Sequence, residues 1–278
     1  MNTWNMVIDI AKCHSCNNCF LACKDEFFAD AFPPLSAAQP RHGHRWIDIL
    51  RRERGQYPKM DVAYLPKPCM HCDEADCIKA AQDGAVYRRD DGIVIIDPQK
   101  ARGQKAVVES CPYGVIFWNE ELDLPQKCTF CAHLLDDGWG QPRCVQACPT
   151  GALEFFRVED SEMQQRVQSE QLQTLHPEYR LEPRVYYKNL HRYDKCFIAG
   201  SVASASKDEC LEGAKVAIKD RSGKVIGSAV TDNYGDFKFD DLEGKGSAYD
   251  LEVEAAGSPG QKLHLDLQES INLGTIFL

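Results

Sequence analysis

Hydrophobic and polar positions along this chain keep two different rhythms. From Phe197 onward they alternate with a period of two, the pattern of strands buried on one face. Such runs occupy 197–203, 214–219, 224–231, 235–239, 249–255, 262–267 and 271–277, with Gly, Asp, Asn and Ser turns between them. That spacing predicts a seven-stranded β-sandwich over residues 197–278. Upstream the apolar runs are shorter. Met6-Val-Ile-Asp-Ile10 reads as a strand, and Arg88-Arg-Asp-Asp-Gly92 followed by Ile93-Val-Ile-Ile96 as a hairpin turned at Asp91-Gly92. Asp83-Gly-Ala-Val-Tyr87, Tyr113-Gly-Val-Ile-Phe117 and Thr150-Gly-Ala-Leu-Glu154 form an internal repeat, each a turn at Gly entering a short strand. Residues 160–175 read as a helix with Ser161 and Gln164 in capping-box spacing. Pro183-Arg-Val-Tyr-Tyr-Lys-Asn189 returns to extended chain.

Cysteine placement changes the picture of the first 196 residues. Twelve of the fourteen cysteines lie between Cys13 and Cys148. Cys13, Cys16, Cys19 and Cys23 form C-x2-C-x2-C-x3-C. Cys69, Cys72 and Cys77 form a second group, Cys111 stands alone before Pro112, and Cys128, Cys131, Cys144 and Cys148 precede Pro149. In the bacterial ferredoxin run, three close thiolates hold one [4Fe–4S] cube and the fourth cysteine reaches another cube. Applied to two crossed pairs of four-cysteine groups, this rule finds ligands missing at Ala81, Ala101, Gln104 and Val107. Those four positions would belong to a single cube. Three complete sets remain: Cys13, Cys16, Cys19 with Cys148; Cys128, Cys131, Cys144 with Cys23; and Cys69, Cys72, Cys77 with Cys111. The expected fold is therefore α+β, a bacterial-ferredoxin-like multi-[4Fe–4S] domain over 1–196 followed by the all-β sandwich.

Competing chemistry fits less well. Four-cysteine zinc sites favour two C-x2-C pairs across a longer loop, which the first group does not match. His14, His71 and His133 stand beside cysteines, but thiolates already complete every set, so a Rieske centre is not required. A secreted disulfide scaffold would be smaller. Cys196 and Cys210 have no partner motif and read as free thiols. The glycines of the repeat, Gly84, Gly114 and Gly151, read as turn positions. The 45 residues between Cys23 and Cys69 form an insertion, 24–68, too long for a mere connection. It holds Arg41-His-Gly-His-Arg-Trp46 and Arg51-Arg-Glu-Arg54, a basic block that could dock a partner, tune a cluster, or simply be a solvated face.

With 278 residues, 44% hydrophobic and 27% charged, the chain is an ordinary globular one. A net charge of −10 argues against nucleic acid as the partner. No apolar run approaches the ~20 residues that cross a bilayer. Met1 leads almost directly into the first strand, so no cleavable leader is expected and a cytoplasmic location is. The sandwich segment shows no nucleophile, metal set or phosphate loop, and no catalytic residue is expected on the chain.

The cluster segment resembles the iron–sulfur subunits of the molybdopterin oxidoreductase (dimethyl sulfoxide reductase) family. Cys16-Asn-Asn-Cys-Phe20, Gly43-His-Arg-Trp46, Arg51-Arg-Glu-Arg-Gly55, Pro68-Cys-Met-His-Cys72, Cys131-Ala-His-Leu-Leu-Asp-Asp137 and Pro183-Arg-Val-Tyr-Tyr-Lys-Asn-Leu190 are similar to its three-cluster transhydroxylase branch, which acts on pyrogallol and phloroglucinol. Gly213-Ala-Lys-Val216 and Thr231-Asp-Asn-Tyr-Gly-Asp-Phe237 fit that branch's transthyretin-like or Cna-B-like sandwich. The resemblance implies an electron-transfer subunit with three [4Fe–4S] clusters. Its partner would be a large catalytic subunit carrying molybdenum bis-molybdopterin guanine dinucleotide and acting on polyhydroxybenzenes. The same role in a respiratory reductase or a formate-type dehydrogenase is the nearest alternative. A redox-silent structural metal module is the alternative of another class.

Overall fold

The computed structural model describes residues 2–278, which divide by contact into two units. The first runs to Leu50 and resumes over Tyr64–Leu190; the second joins Arg51–Ala63 to His191–Leu278. The second unit starts slightly earlier than the sequence pattern suggested, and it claims part of the insertion.

In the first unit, β1 (Asn2–Asp9) is the central strand of three. It pairs antiparallel with β8 (Leu153–Glu159) and parallel with β9 (Val185–Lys188). Met6 and Ile8 are fully buried and Val7 almost so. Both faces of the strand are therefore covered, and its apolar run is continuous for that reason. The chain between carries α1 (Asn18–Phe27), the ribbon β2 (Ile47–Gln56) and β3 (Lys59–Pro68), and α2 (Asp76–Ala80). Next come the hairpin β4 (Val86–Arg88) and β5 (Val94–Ile96), α3 (Ala106–Glu109), and a second hairpin of β6 (Phe117–Asn119) and β7 (Leu124–Gln126). α4 (Ala132–Asp136) and α5 (Arg143–Gln146) lead into β8. α1 packs against α5, and α2 against α3. The first pair brings Cys19 and Cys23 beside Cys144, and the second brings Cys77 towards Cys111.

The three repeat glycines have nearly the same backbone, with φ of +63°, +62° and +64° at Gly84, Gly114 and Gly151. A Cβ at any of them would meet nothing within 4 Å. Glycine is needed there for its left-handed conformation, not for space. At Cys111 and Cys148 the following proline enters a tight turn closed by the Gly114 and Gly151 amides on the cysteine carbonyls, at 3.0 and 3.5 Å. Proline's fixed φ suits the second position of such a turn.

The helix expected over 160–175 is shorter: α6 spans Asp160–Ser169. Ser161 lies inside it, so the capping box does not form, and no side chain caps the end. Asp160 instead accepts hydrogen bonds from Thr3 Oγ1 and Arg184. Beyond the helix, Leu172 and Leu175 are buried and Gln173 bridges to Tyr187, which extends the chain there.

The second unit contains α7 (His191–Asp194) and two four-stranded sheets. In one, β10 (Cys196–Ser204) pairs with β11 (Glu209–Cys210), β14 (Asp236–Leu242) and, in parallel, β17 (Ile271–Phe277). The other has the order β13 (Val225–Val230), β12 (Lys215–Lys219), β15 (Ser247–Glu254), β16 (Gln261–Leu267). All seven strands of the alternating pattern are present, with the two-residue β11 added. Ile198, Val202, Val216, Ile218, Phe237, Leu251, Val253 and Ile276 form the core.

The tip of the β2–β3 ribbon, Arg51–Ala63, is also part of this unit. Arg54 is buried there and bonds Asp61 and Asp240, with Asp61 also held by Arg192. Burial alone would raise the Asp240 carboxyl. Hydrogen bonds from Arg54 and Lys238 outweigh it and hold the group down to about 2. Arg52 bonds the Tyr193 carbonyl and Arg51 pairs with Glu53. In the rest of the basic block, His44 is buried with Nε2 2.9 Å from the Trp118 carbonyl, and Arg45 lies over the Phe20 ring. Much of the block is thus consumed in packing, while Arg41, His42 and Arg51 are exposed.

Among the described residues no helix is long and apolar enough to cross a membrane.

Candidate metal centres

β1 and β8 run antiparallel, so the chain leaving Ile8 and the chain entering Leu153 lie side by side, with the Asp9 amide on the Ala152 carbonyl at 2.8 Å. Cys13 follows the first of these segments and Cys148 precedes the second. Residues 135 positions apart are brought together by one strand pairing. Electrostatic neighbours give the same grouping. Burial pushes the Cys19 thiol up to about 12, and Cys13, Cys148 and Cys16 each push in the same direction. Cys13 is raised by burial first, then by Cys148 and Cys16. Cys148 departs from the rest: burial raises it, but the Thr150 hydroxyl and the Leu153, Thr150 and Ala152 amides outweigh that and leave it below the usual thiol range. The turn at Gly151 aims those amides at sulfur.

Cys19 and Cys23 sit one turn apart on α1, both buried, yet they face different neighbours. Burial raises Cys23 strongly, and Cys128 and Cys131 add to it. Cys144 on α5 is raised by burial and then by Cys131, Cys128 and Cys23. The Gln39 amide lies 3.9 Å from Cys23 Sγ, and the Phe130 amide donates to Cys128 Sγ at 3.4 Å.

The remaining group surrounds an apolar cavity lined by Cys69, Cys72, Cys77 and Cys111 with Val94 and Ile116. Burial dominates the Cys72 thiol, followed by Cys69, Cys111 and Cys77, and all raise it. The His71 amide donates to Cys69 Sγ at 3.5 Å.

Two electrostatic proximities connect the groups. Cys19 acts on Cys144, and Cys69 is the strongest charged neighbour of Cys128. The Cys128 group therefore lies between the Cys13 group and the Cys69 group. Thiols packed this closely resist ionising together, because each anion raises its neighbours and burial raises Cys19, Cys23, Cys72 and Cys144 further. A cationic iron core removes that conflict, since a coordinating thiol is deprotonated outright. Among the described residues, no three His, Cys, Asp or Glu side chains converge on one point for a single ion. The donor sets suit a group of several metal atoms with thiolates at its corners.

At the position of the missing ligands, Ala101 and Val107 are fully buried. Gln104 accepts from the Gln82 amide at 2.8 Å and donates to the carbonyls of Gln82 and Lys100. One carboxamide ties together the two segments that a fourth group would have joined. The histidines beside cysteines have other occupations. His14 is exposed, His133 Nε2 meets Glu26 at 2.8 Å, and His71 Nδ1 accepts from the Val94 amide. Cys196 is buried in the sandwich and Cys210 exposed, both as free thiols. Sequence reasoning missed Lys127, which is 2% exposed between two cysteine groups. Its one legible signal was a charge directly before Cys128.

A family model for the 4Fe-4S dicluster domain matches residues 60–158. The chain is 46% identical to the pyrogallol hydroxytransferase small subunit of Pelobacter acidigallici, over 100% of both chains. It is 31% identical to a putative dimethyl sulfoxide reductase iron-sulfur subunit of Halobacterium salinarum, over 68% of this chain and 80% of that one. The thiosulfate reductase electron transfer subunit of Salmonella typhi is 31% identical over 60% of this chain and 82% of its own. Among solved structures, 5-hydroxyisourate hydrolase of Klebsiella pneumoniae shares 14% identity over 31% of this chain and 87% of that one, with a TM-score of 0.26.

Proposed function

The chain belongs to the iron–sulfur subunits of the molybdopterin oxidoreductases, alongside the pyrogallol hydroxytransferase small subunit, and we propose from that membership that it is the electron-transfer subunit of a molybdenum enzyme that hydroxylates polyhydroxybenzenes or transfers hydroxyl between them. It carries [4Fe–4S] clusters, and catalysis lies on a partner subunit. Their number, in this proposal, is three. Cys13, Cys16, Cys19 and Cys148 hold the first, Cys128, Cys131, Cys144 and Cys23 the second, and Cys69, Cys72, Cys77 and Cys111 the third. When bound, such clusters supply one-electron transfer at potentials set by burial and hydrogen bonds to sulfur.

One feature supports the reading: the cysteines fall into neighbouring sets, with Cys19 close enough to act on Cys144 and Cys69 on Cys128, which would set the three clusters in a row. The chain's own residues fix that order. β1 and β8 position the first group, α1 shares its cysteines between the first and second, and amides of Ser15, His71 and Phe130 donate to sulfur. Cys16 is exposed, so the row has an open end for a partner. Molybdenum bis-molybdopterin guanine dinucleotide is placed on that partner, and the complex in the reducing cytoplasm.

Native purification tests this. About twelve iron and twelve sulfide per chain are expected, four of each per cube. Molybdenum should accompany the partner, with activity towards pyrogallol, phloroglucinol or resorcinol. A partner lacking molybdenum and tungsten overturns the assignment. A molybdenum partner active only on sulfur oxyanions or sulfoxides would instead favour the respiratory role, in line with the thiosulfate and dimethyl sulfoxide reductase relatives.

A further inference from the structure

The junction between the Cys69 and Cys128 groups contains a lysine whose charge has no acidic partner. Lys127 is 2% exposed, and its ammonium donates to the Val94 carbonyl and, at 3.0 Å, to the Cys128 carbonyl. Among the described residues no carboxylate lies within ion-pair distance of it. A buried charge needs a counter-charge, because carbonyl dipoles only partly replace the water it has lost. Its charge reaches thiols of both groups: Lys127 lowers Cys77, Cys72 and Cys128, against the larger effect of burial.

Val94 organises the opposite wall of the same junction. Its amide donates to His71 Nδ1 at 3.1 Å, so the proton of the neutral ring resides on Nε2. His71 is 1% exposed, and its Nε2 meets no hydrogen-bond partner in the protein. His71 is also among the residues lining the cavity of the Cys69 group. The ring stacks on Phe130 with centroids 3.8 Å apart, and Phe130 lies between Cys128 and Cys131. An orphaned buried N–H is costly unless something absent from the polypeptide accepts it.

We propose that Lys127 and His71 form a potential-raising junction, in which the Lys127 ammonium is the counter-charge of the clusters at the Cys69 and Cys128 groups and the His71 Nε2–H donates to cluster sulfur. This rests on the three-cluster assignment above. A cube held by four thiolates is an anion, and one electron accepted from a donor such as dithionite adds one more negative charge. A fixed cation and an N–H donor stabilise that added charge, so electrons collect at this end of the row. Both residues position charge and touch no substrate.

Potentiometric titration of the purified complex, read by electron paramagnetic resonance, tests the proposal. Signals are assigned to groups with Cys111→Ser and Cys23→Ser variants. Lys127→Met should lower the midpoints of the Cys69-group and Cys128-group signals, each tenfold change in the one-electron equilibrium appearing as about 59 mV. The Cys13-group signal should stay in place, and Lys127→Arg should stay near wild type. His71→Phe keeps the stack, removes the N–H, and should lower the Cys69-group midpoint. Full iron content with unmoved midpoints in Lys127→Met overturns the proposal. So does loss of clusters in Lys127→Met combined with unmoved midpoints in a fully loaded His71→Phe, because Lys127 would then serve only assembly. Wild-type iron far below twelve would refute the three-cluster assignment itself, a separable result.

Discussion

Gly55 and Gly114 both adopt positive φ, +79° and +62°, but they should respond differently to alanine. Around Gly114 a Cβ meets nothing, so Gly114→Ala should cost only the conformational term, about 1 kcal/mol. At Gly55 the same Cβ would stand 2.4 Å from a Phe197 ring carbon and 2.5 Å from the Lys59 carbonyl oxygen. The backbone atom cannot yield cheaply, and the cost there should exceed the Gly114 value severalfold. Thermal unfolding of the two variants against wild type measures both. The cysteine pattern is the most legible feature of the sequence. Cysteine spacing announces a ligand group because the metal fixes how far apart thiolates can stand. Lys127, Gln39 and Gln104 were not legible, because their roles depend on which distant carbonyl or sulfur the fold brings within reach.

Two elements carry predictions of their own. α1 presents Cys19 to one group and Cys23 to the next. Cys23→Ser should therefore alter the resonance signal that Cys128→Ser alters and spare the one lost in Cys13→Ser; the reverse pattern would mean local ligation. The ribbon tip is pinned through Arg54 and Asp240. Because the folded Asp240 carboxyl is held at about 2 and an unfolded aspartate titrates near ~4, its contribution is complete above pH ~4 and lost as pH falls through about 2. That shift corresponds to roughly 2 kcal/mol. Asp240→Asn should lower stability at neutral pH by a similar or larger amount, since Arg54 stays buried, and should flatten the acid dependence of strand circular dichroism between pH 4 and 2. Element type was readable wherever burial imposed a period, as in the seven alternating strands. α6 was overread because the periodicity continued past Ser169, where Leu172 and Leu175 are buried from extended chain instead. None of the three readings left open for the basic block included a buried Arg54, since sequence cannot show that Asp61 and Asp240 face it.

For the whole molecule, removing the sandwich after residue 196 is an informative cut. The cysteine groups all lie in the first unit, so cluster absorption should largely persist. The ribbon tip 51–63 would remain without its mates, however, and the truncated chain should aggregate unless that tip is shortened too. Size-exclusion chromatography of both truncations checks this; equal behaviour would show that the tip needs no cover. The division into a cysteine-rich segment and a β segment was plain from rhythm alone. Its discontinuity was not, because contacts between residues 186 positions apart, as for Arg54 and Asp240, leave no local trace.

That separation also sets a clock on biosynthesis. At roughly 5–20 residues per second, a ribosome that has made Arg54 needs on the order of ten to forty seconds before Asp240 follows. Throughout that interval the ribbon tip has been made and its mates have not. The twelve cysteines of the three groups are all translated by Cys148. Iron–sulfur loading can thus begin on a nascent chain, while the second unit cannot close until nearly the last codon has been read.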